Sequence, residues 1–349
     1  MTNRIKIGER MIGDGEPVII IAEAGVNHNG QLEKALELVS VAREAGADAV
    51  KFQLYRPEEQ VSKGAPTAGY QREQTGAGNM LEMARSYELA WEAHAAIAAR
   101  CREVGIAYMS SCFDREAVDF LVQLGGECIK VGSGEITNYP LLAHMSRTGL
   151  PILLSTGMST LSDVCGAVEH IRASGRSTLA LFQCVSNYPA DPATINLRAM
   201  LTMQRAFNLP VGFSDHTQGE ACAVAAVALG ACMVEKHFTL DKNLPGPDHA
   251  MSLNPSELRD YVKAIRTAES ALGDGIKRPA EPELETLVAA RRSLVSARVI
   301  NTGESLDENN VTLKRPATGI DPRLWQTVRG RKACMDIPAD VPITWDMLA

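Results

Sequence analysis

Residues 18–53 read VIIIAEAGVNHNGQLEKALELVSVAREAGADAVKFQ, and the succession of textures in this stretch decides the fold. An apolar run (Val18–Ala24) gives way to a loop (Gly25–Gly30), then to an amphipathic helical period (Leu32–Ala45), then to a second apolar run (Ala49–Gln53). Short runs without alternation are what strands buried on both faces of a parallel sheet require, and a helix is the crossover that parallel pairing needs. The loop lacks the G-x-G-x-x-G spacing that an open, doubly wound sheet commonly shows after its first strand.

Outward from this unit the pattern repeats. Further strands are expected at Ala107–Cys112, Cys128–Val131, Ile152–Ser155, Leu179–Cys184, Val211–Ser214 and Met233–His237. Helical patterns lie at Tyr87–Val104, Arg115–Gln123, Leu161–Ala173, Leu197–Arg205 and Glu220–Leu229. After the last strand, Pro255–Leu272 has a helical period and stops at Gly273, a residue suited to a C-cap. Eight strands, each followed by a helix, predict a closed parallel (β/α)8 TIM barrel, an α/β fold of roughly 250 residues. The expected organisation is a barrel over residues 1–274, a linker over 275–290 carrying Pro279 and Pro282, and a small module over 291–349. Within the module, Ser293–Ile300, Val311–Lys314 and Lys332–Ile337 read as short strands and turns, with a turn at Asn301–Ser305.

Composition narrows the class. The chain has 349 residues, 45% hydrophobic and 22% charged, as an ordinary globular protein does. Its net charge of −7 argues against nucleic-acid or anionic-membrane partners, so an anionic substrate must be met by a local cluster of cations. The apolar stretch Pro17–Ala24 is interrupted by Glu23 and falls far short of the roughly 20 residues of a membrane span. Met1–Gly15 lacks the apolar core of a signal peptide, and a cytoplasmic enzyme is expected. The eight cysteines are scattered without a C-x-x-C pair, which fits reduced, buried thiols rather than structural zinc or disulfides.

In such a barrel the C-terminal strand ends form the active-site face. The polar residues at those ends are Glu23; Lys51 and Gln53; Ser110 and Ser111; Lys130 and Ser133; Ser155; Ser186 and Tyr188; Ser214, Asp215 and His216; and Glu235, Lys236 and His237. Packing alone does not select that ring. Lys51 and Lys130 are each flanked by apolar residues, where an unpaired ammonium is costly. Converging with Ser133 and Ser155, they make a cradle for a phosphate or carboxylate, and Gly132, Gly134 and Gly157 let backbone N–H groups approach it. His216 and His237 end neighbouring strands beside Asp215 and Glu235, and suit a divalent metal with positions open to water and substrate. Glu23 fits acid–base work or the holding of a substrate hydroxyl. His94, His144 and His170 fall in helical patterns and read as packing or surface residues, while His28 and Asn29 in the first loop fit either role.

Taken together, these segments resemble the sialic acid synthase family. The resemblance is carried by Ile21-Ala22-Glu23-Ala24-Gly25-Val26-Asn27-His28-Asn29-Gly30, Lys51-Phe52-Gln53, Lys130-Val131-Gly132-Ser133-Gly134-Glu135 and Leu154-Ser155-Thr156-Gly157-Met158. Gly212-Phe213-Ser214-Asp215-His216-Thr217, Glu235-Lys236-His237-Phe238-Thr239 and Gly246-Pro247-Asp248-His249 continue it in order. Lys314-Arg315-Pro316-Ala317-Thr318-Gly319-Ile320 is similar to the antifreeze-like (SAF) domain that follows the barrel in that family.

The resemblance implies condensation of phosphoenolpyruvate, through its C3, with the aldehyde of an N-acyl-mannosamine, giving a nine-carbon 2-keto acid and phosphate: an N-acetylneuraminate synthase. On matching positions, Lys51, Lys130, Ser133, Ser155 and Ser214 would hold phosphoenolpyruvate, with Ser111 close to its phosphate. His216 and His237 would ligate Mn2+, or else Mg2+ or Co2+, and Glu23 would act on attacking or protonated groups. Gln53, Tyr188 and Asp248 would contact the sugar, with Ser186 beside them. Arg315 would reach the N-acyl group from a neighbouring subunit, which implies a domain-swapped homodimer. Two features depart from the N-acetylneuraminate branch: Ser186 stands where bacterial members tend to carry Asn, and Arg291-Arg292-Ser293-Leu294 looks more like branches acting on 2,4-diacetamido-2,4,6-trideoxymannose. A legionaminic acid synthase is therefore the alternative. A 3-deoxy-octulosonate 8-phosphate synthase is disfavoured by the SAF-like tail. A non-catalytic sugar-binding scaffold is disfavoured by the retention of Glu23, Lys51, Lys130, His216 and His237.

Overall fold

The computed structural model describes residues 4–67, 69, 72, 75 and 79–349. It divides into two compact units, Met1–Gly273 and Asp274–Ala349.

The first unit opens with an antiparallel hairpin, β1 (Arg4–Ile7) and β2 (Arg10–Gly13), paired from Arg4 against Gly13 to Ile7 against Arg10. Ile5, Ile7 and Ile12 are buried against Ile19, Met109, Leu153 and Met233, which line the barrel interior near its N-terminal end. Each such isoleucine contributes about 1.5–3 kcal/mol by leaving water. The hairpin thus stops that end of the barrel.

Eight parallel strands follow: β3 (Ile19–Gly25), β4 (Ala49–Leu54), β5 (Ala107–Cys112), β6 (Ile129–Val131), β7 (Ile152–Ser155), β8 (Leu179–Cys184), β9 (Val211–Asp215) and β10 (Met233–His237). They pair in sequence order, and β10 closes on β3 with His237 opposite Glu23, so the sheet is a closed barrel. Every residue of β3, β6, β7, β9 and β10 is buried, which is why these segments carry apolar runs rather than alternation. Outward-facing residues such as Ile20, Val50, Val131 and Leu154 pack beneath the surrounding helices.

The helices at Arg115–Gln123 and Pro255–Leu272 keep their expected bounds, and the latter starts on a capping box of Asn254 and Glu257. The helix expected over Tyr87–Val104 is two, Met80–Tyr87 and Trp91–Val104, separated by Glu88 in an extended conformation. A helix at Tyr139–Arg147 escapes the sequence reading because Pro140 breaks its pattern, although a proline in the first turn costs nothing there.

In the second unit, β11 (Ser293–Ser296) pairs antiparallel with β12 (Val311–Lys314), and single bridges join Ile300 to Ile337 and Ser305 to Lys332. Its own core is built from Leu294, Ile300, Leu306, Ile320, Val328, Ile337 and Ile343. The stretch expected as a linker contains a helix, Glu283–Ala290, on which Leu284 and Val288 stand exposed. Among the described residues no helix is long and apolar enough to cross a membrane, and all eight cysteines are free thiols.

Candidate active site

At the C-terminal ends of the barrel strands, every barrel residue of the expected site lines one cavity of about 450 Å³: Glu23, Lys51, Gln53, Ser111, Lys130, Ser133, Ser155, Ser186, Tyr188, Ser214, His216, His237 and Asp248. Strand alternation sets which residues take part. On β9, β10 and the residue after β9, Ser214, His216, Glu235 and His237 line the cavity, whereas Asp215 and Lys236 do not.

Asp215, expected beside the histidines, belongs instead to a separate buried group. Its Oδ2 accepts from Tyr261 OH at 3.0 Å and from Lys236 Nζ at 3.1 Å, while Oδ1 accepts from Thr217 N and Oγ1.

Two buried lysines dominate the floor. Lys51 Nζ lies 2.9 Å from Glu23 Oε2, 3.8 Å from Glu235 Oε2, and donates to Ser111 Oγ at 2.9 Å. Lys130 Nζ donates to Ser155 Oγ at 2.7 Å and lies 3.5 Å from Glu235 Oε1. Ser214 Oγ donates to that same Oε1 at 3.2 Å. Glu235 is thus the anion that both lysines share, although its sequence position assigns it only to a strand end. Hydroxyls that accept from the lysines keep their own O–H for an incoming oxyanion. Gly157 N donates to Ser133 Oγ at 3.0 Å, and a Cβ on Gly157 would fall on Ser186 Oγ and 2.8 Å from Ser133 Oγ.

Environment separates the two carboxylates. Burial pushes Glu23 up to about 7, and Lys51 offsets only part of that. Burial acts on Glu235 as well, but Lys130 and Lys51 outweigh it and hold the group down at about 2. Glu23, with Gln53 Nε2 donating to its Oε1 at 3.3 Å, is therefore poised to exchange a proton near neutrality. Burial also raises Asp248 to about 6.

His216 and His237 stand with ring centroids 5.6 Å apart, and the Tyr188 ring lies 4.1 Å from His216. His216 Nδ1 is 2.7 Å from Val185 O, which only accepts, so that nitrogen carries the proton and Nε2 is left as a lone-pair donor. His237 Nδ1 is buried without a hydrogen-bond partner, 4.0 Å from Asp248 Oδ2. Among the described residues no group of three or more His, Cys, Asp or Glu is arranged to hold a metal ion. Two imidazole nitrogens, one of them orphaned, fit a cation that completes its shell with water and substrate.

Arg315 lies exposed in the second unit. Sequence reasoning also leaves out an apolar side of the cavity, formed by Met80, Met83, Tyr87, Phe113 and Met158. A methionine carries no chemical signature that separates a pocket wall from a core.

Comparison with known proteins extends this picture. Residues 38–277 match the family model described as "NeuB family", and residues 291–349 match the "SAF domain" model. The N,N'-diacetyllegionaminic acid synthase of Legionella pneumophila is 41% identical over 350 residues, covering 99% of this chain and 98% of that protein. The enzyme of the same name from Campylobacter jejuni is 42% identical, covering 92% and 97%. Among solved structures, N-acetylneuraminic acid (sialic acid) synthetase from Leptospira borgpetersenii superimposes with a TM-score of 0.74 at 32% identity, covering 82% of this chain and 96% of that one.

Proposed function

The chain belongs to the NeuB family, and from that premise we propose that it condenses phosphoenolpyruvate with 2,4-diacetamido-2,4,6-trideoxymannose to give a legionaminic-type nonulosonic acid and phosphate. It is an enzyme of carbon–carbon bond formation. The expectation of an N-acetylneuraminate synthase yields to its alternative, because the two legionaminic acid synthases are 41% and 42% identical to the chain and the N-acetylneuraminic acid synthetase 32%. The apolar side of the cavity supports the same choice. The diacetamido sugar carries two acetamido methyls and a methyl at C6, and Met80, Met83, Tyr87 and Met158 offer them apolar contact.

The observation that carries the reaction is the convergence of Lys51 and Lys130, with their serines, beside His216 and His237 in one cavity. Lys51, Lys130, Ser111, Ser133, Ser155 and Ser214 bind the phosphate and carboxylate of phosphoenolpyruvate by charge neutralisation and hydroxyl donation. C3 of phosphoenolpyruvate forms the new bond to the aldehyde carbon as the carbonyl π pair moves to the aldehyde oxygen, which becomes a hydroxyl by taking up a proton equivalent to the one the entering water gives up. Water adds at C2, and phosphate leaves by C–O cleavage. Glu23, ionising near neutrality, takes the proton from the entering water or holds a sugar hydroxyl. Gln53, Tyr188, Ser186 and Asp248 orient the sugar from the mouth of the cavity. His216 and His237 would hold a divalent metal, Mn2+ with Mg2+ or Co2+ as alternatives, which polarises the aldehyde oxygen when bound.

Arg315 would complete the sugar site from the second unit of a neighbouring chain in a domain-swapped homodimer. Exposed Leu284 and Val288, on the helix Glu283–Ala290, support such an association. The protein works in the cytoplasm on this reading.

The test is phosphate release from phosphoenolpyruvate with Mn2+, comparing 2,4-diacetamido-2,4,6-trideoxymannose with N-acetylmannosamine, each with an EDTA control. Metal-dependent release favouring the diacetamido sugar supports the proposal. Preference for N-acetylmannosamine restores the N-acetylneuraminate reading, and release with neither removes the substrate assignment.

A further inference from the structure

Several buried polar side chains near the cavity take no part in lining it. They come from the loop after β3, residues 25–30, and the segment after β10, residues 238–253. Asn27, Thr239, His249 and Ser252 are fully buried, and His28 nearly so. Burying so many hydrogen-bonding groups is costly unless each is paired in a fixed geometry.

His28 Nδ1 accepts from Gly30 N within its own loop and Asn27 Oδ1 has no partner among the described residues, but the other pairing runs between the two segments. His249 Nε2 is 2.9 Å from Asn29 Oδ1, and its Nδ1 is 2.6 Å from Thr239 Oγ1. Asn29 Nδ2 donates to Pro245 O at 2.9 Å, which fixes its amide and makes Nε2 the protonated nitrogen of a neutral His249. Thr239 Oγ1 then donates to Nδ1. Asn27 Nδ2 donates to Phe238 O at 2.7 Å and to Ser252 Oγ at 2.9 Å, and Ser252 Oγ donates to Asp248 O at 2.6 Å. The imidazole also occupies the space a side chain would need at Gly246, where a Cβ would lie 2.6 Å from His249 Cδ2.

Asp248 sits in the middle of this arrangement. Its own carbonyl, the residue after it and the stretch before it are all tied to the loop after β3. Its carboxylate alone turns into the cavity, 4.0 Å from His237 Nδ1.

We infer that His249 and Asn29 are positioning residues for Asp248: the His249 ring is a crosspiece that joins the first and last active-site loops and fixes the carboxylate that meets the sugar. Neither side chain lines the cavity. The inference deepens the proposed reaction, and its kinetic test rests on that reading.

Two measurements test it. In the first, amide hydrogen exchange is followed on the ligand-free protein. His249→Ala should speed exchange at residues 246–252 while the barrel-strand amides keep their protection. In the second, initial rates are measured with phosphoenolpyruvate and 2,4-diacetamido-2,4,6-trideoxymannose. A carboxylate misplaced by about 1 Å loses on the order of 100-fold in rate, so kcat/KM for the sugar should fall by that factor while KM for phosphoenolpyruvate stays unchanged. His249→Gln, which keeps an N–H near the Nε2 position, should recover most of the loss, and Asn29→Ala should reproduce it. Unchanged exchange at residues 246–252, or an equal loss for both substrates, overturns the inference. If His249→Ala does not fold, Asn29→Ala and His249→Gln carry the same comparison. If the unaltered protein turns over neither sugar, the reaction reading fails, and the exchange experiment still decides whether the crosspiece exists.

Discussion

Glu235→Gln should weaken the fold and tighten phosphoenolpyruvate binding at the same time. Glu235 is buried, ionised, and lies 3.5 Å from Lys130 Nζ and 3.8 Å from Lys51 Nζ. Each such pair is worth about 4 kcal/mol near 4 Å at an effective dielectric constant of about 20. Glutamine keeps the shape and can still accept from Ser214, but both attractions go. Against that loss stands the desolvation of the carboxylate, several kcal/mol, which the amide no longer bears. The net cost to the ligand-free protein is about 3–5 kcal/mol, the range for breaking a buried ion pair. In the substituted protein the lysines hold a surplus of positive charge that an anionic ligand relieves, and the carboxylate that repels the same ligand is gone. Both effects favour binding, by at least about tenfold or ~1.4 kcal/mol. Tighter ground-state binding does not raise kcat. Urea denaturation with and without phosphoenolpyruvate gives the stability and its ligand increment, and isothermal titration gives the affinity. Weaker ligand binding together with lower stability would refute the reasoning, because Glu235 would then be holding the lysines in place rather than competing with the ligand for them.

Three further outcomes follow from the geometry. Gly157→Ala pushes a methyl group onto Ser133 and Ser186, so KM for phosphoenolpyruvate should rise about tenfold, by ~1.4 kcal/mol, with little change in melting temperature; an unchanged KM would show that those hydroxyls do not serve the ligand. Burial lowers His94 to about 3 and His28 and His249 to about 4, against about 6.5 in the unfolded chain. The unfolded state thus binds more protons below pH ~6.5, and stability present above that value is lost as pH falls toward the folded values, by about 2 kcal/mol per histidine at pH ~5. Glu23 and Asp248, raised by burial, act in the opposite direction over the same range, so urea midpoints of the native protein and of His94→Gln are compared at neutral pH and near pH ~5; an equal loss in the two proteins would remove the argument. Finally, co-expressing Arg315→Ala with Lys130→Met should restore activity that neither variant has alone if Arg315 serves a neighbouring chain's barrel; no recovery in mixed dimers would place it outside that role.

Barrel strands are legible because strands buried on both faces leave uninterrupted apolar runs, and a lysine such as Lys51 inside one signals chemistry without any alignment. The hairpin Arg4–Gly13 is not legible on those terms. Its strands are four residues each and mix arginine and lysine with isoleucine, and their burial depends on a barrel end that only the folded chain provides. Register imposes a second limit. Glu235 and Lys236 look equivalent at the end of β10, yet pairing sends one to the lysines of the cavity and the other to Asp215 and Tyr261. The two histidines are found from their strand ends, while the direction of each ring, set by Val185 O for His216, belongs to tertiary structure. Arg315 is found only by resemblance, since an exposed arginine carries no local signal. The crosspiece at His249 joins residues 220 positions apart and leaves no trace at short range.

The hairpin at the N-terminal end of the barrel also bears on the order of binding. With Ile5, Ile7 and Ile12 packed into that end, the cavity lies at the other, where the C-terminal ends of the strands and the loops after them line it. Lys51 and Lys130 have 3% of their surface exposed, whereas Gln53, Tyr188 and Asp248 come later along the strands and the loops that follow them and are less completely buried. A sugar seated on those later residues blocks the way to the lysines. Phosphoenolpyruvate must therefore enter before the sugar, and the kinetics should show a compulsory order, with a dead-end sugar analogue uncompetitive against phosphoenolpyruvate.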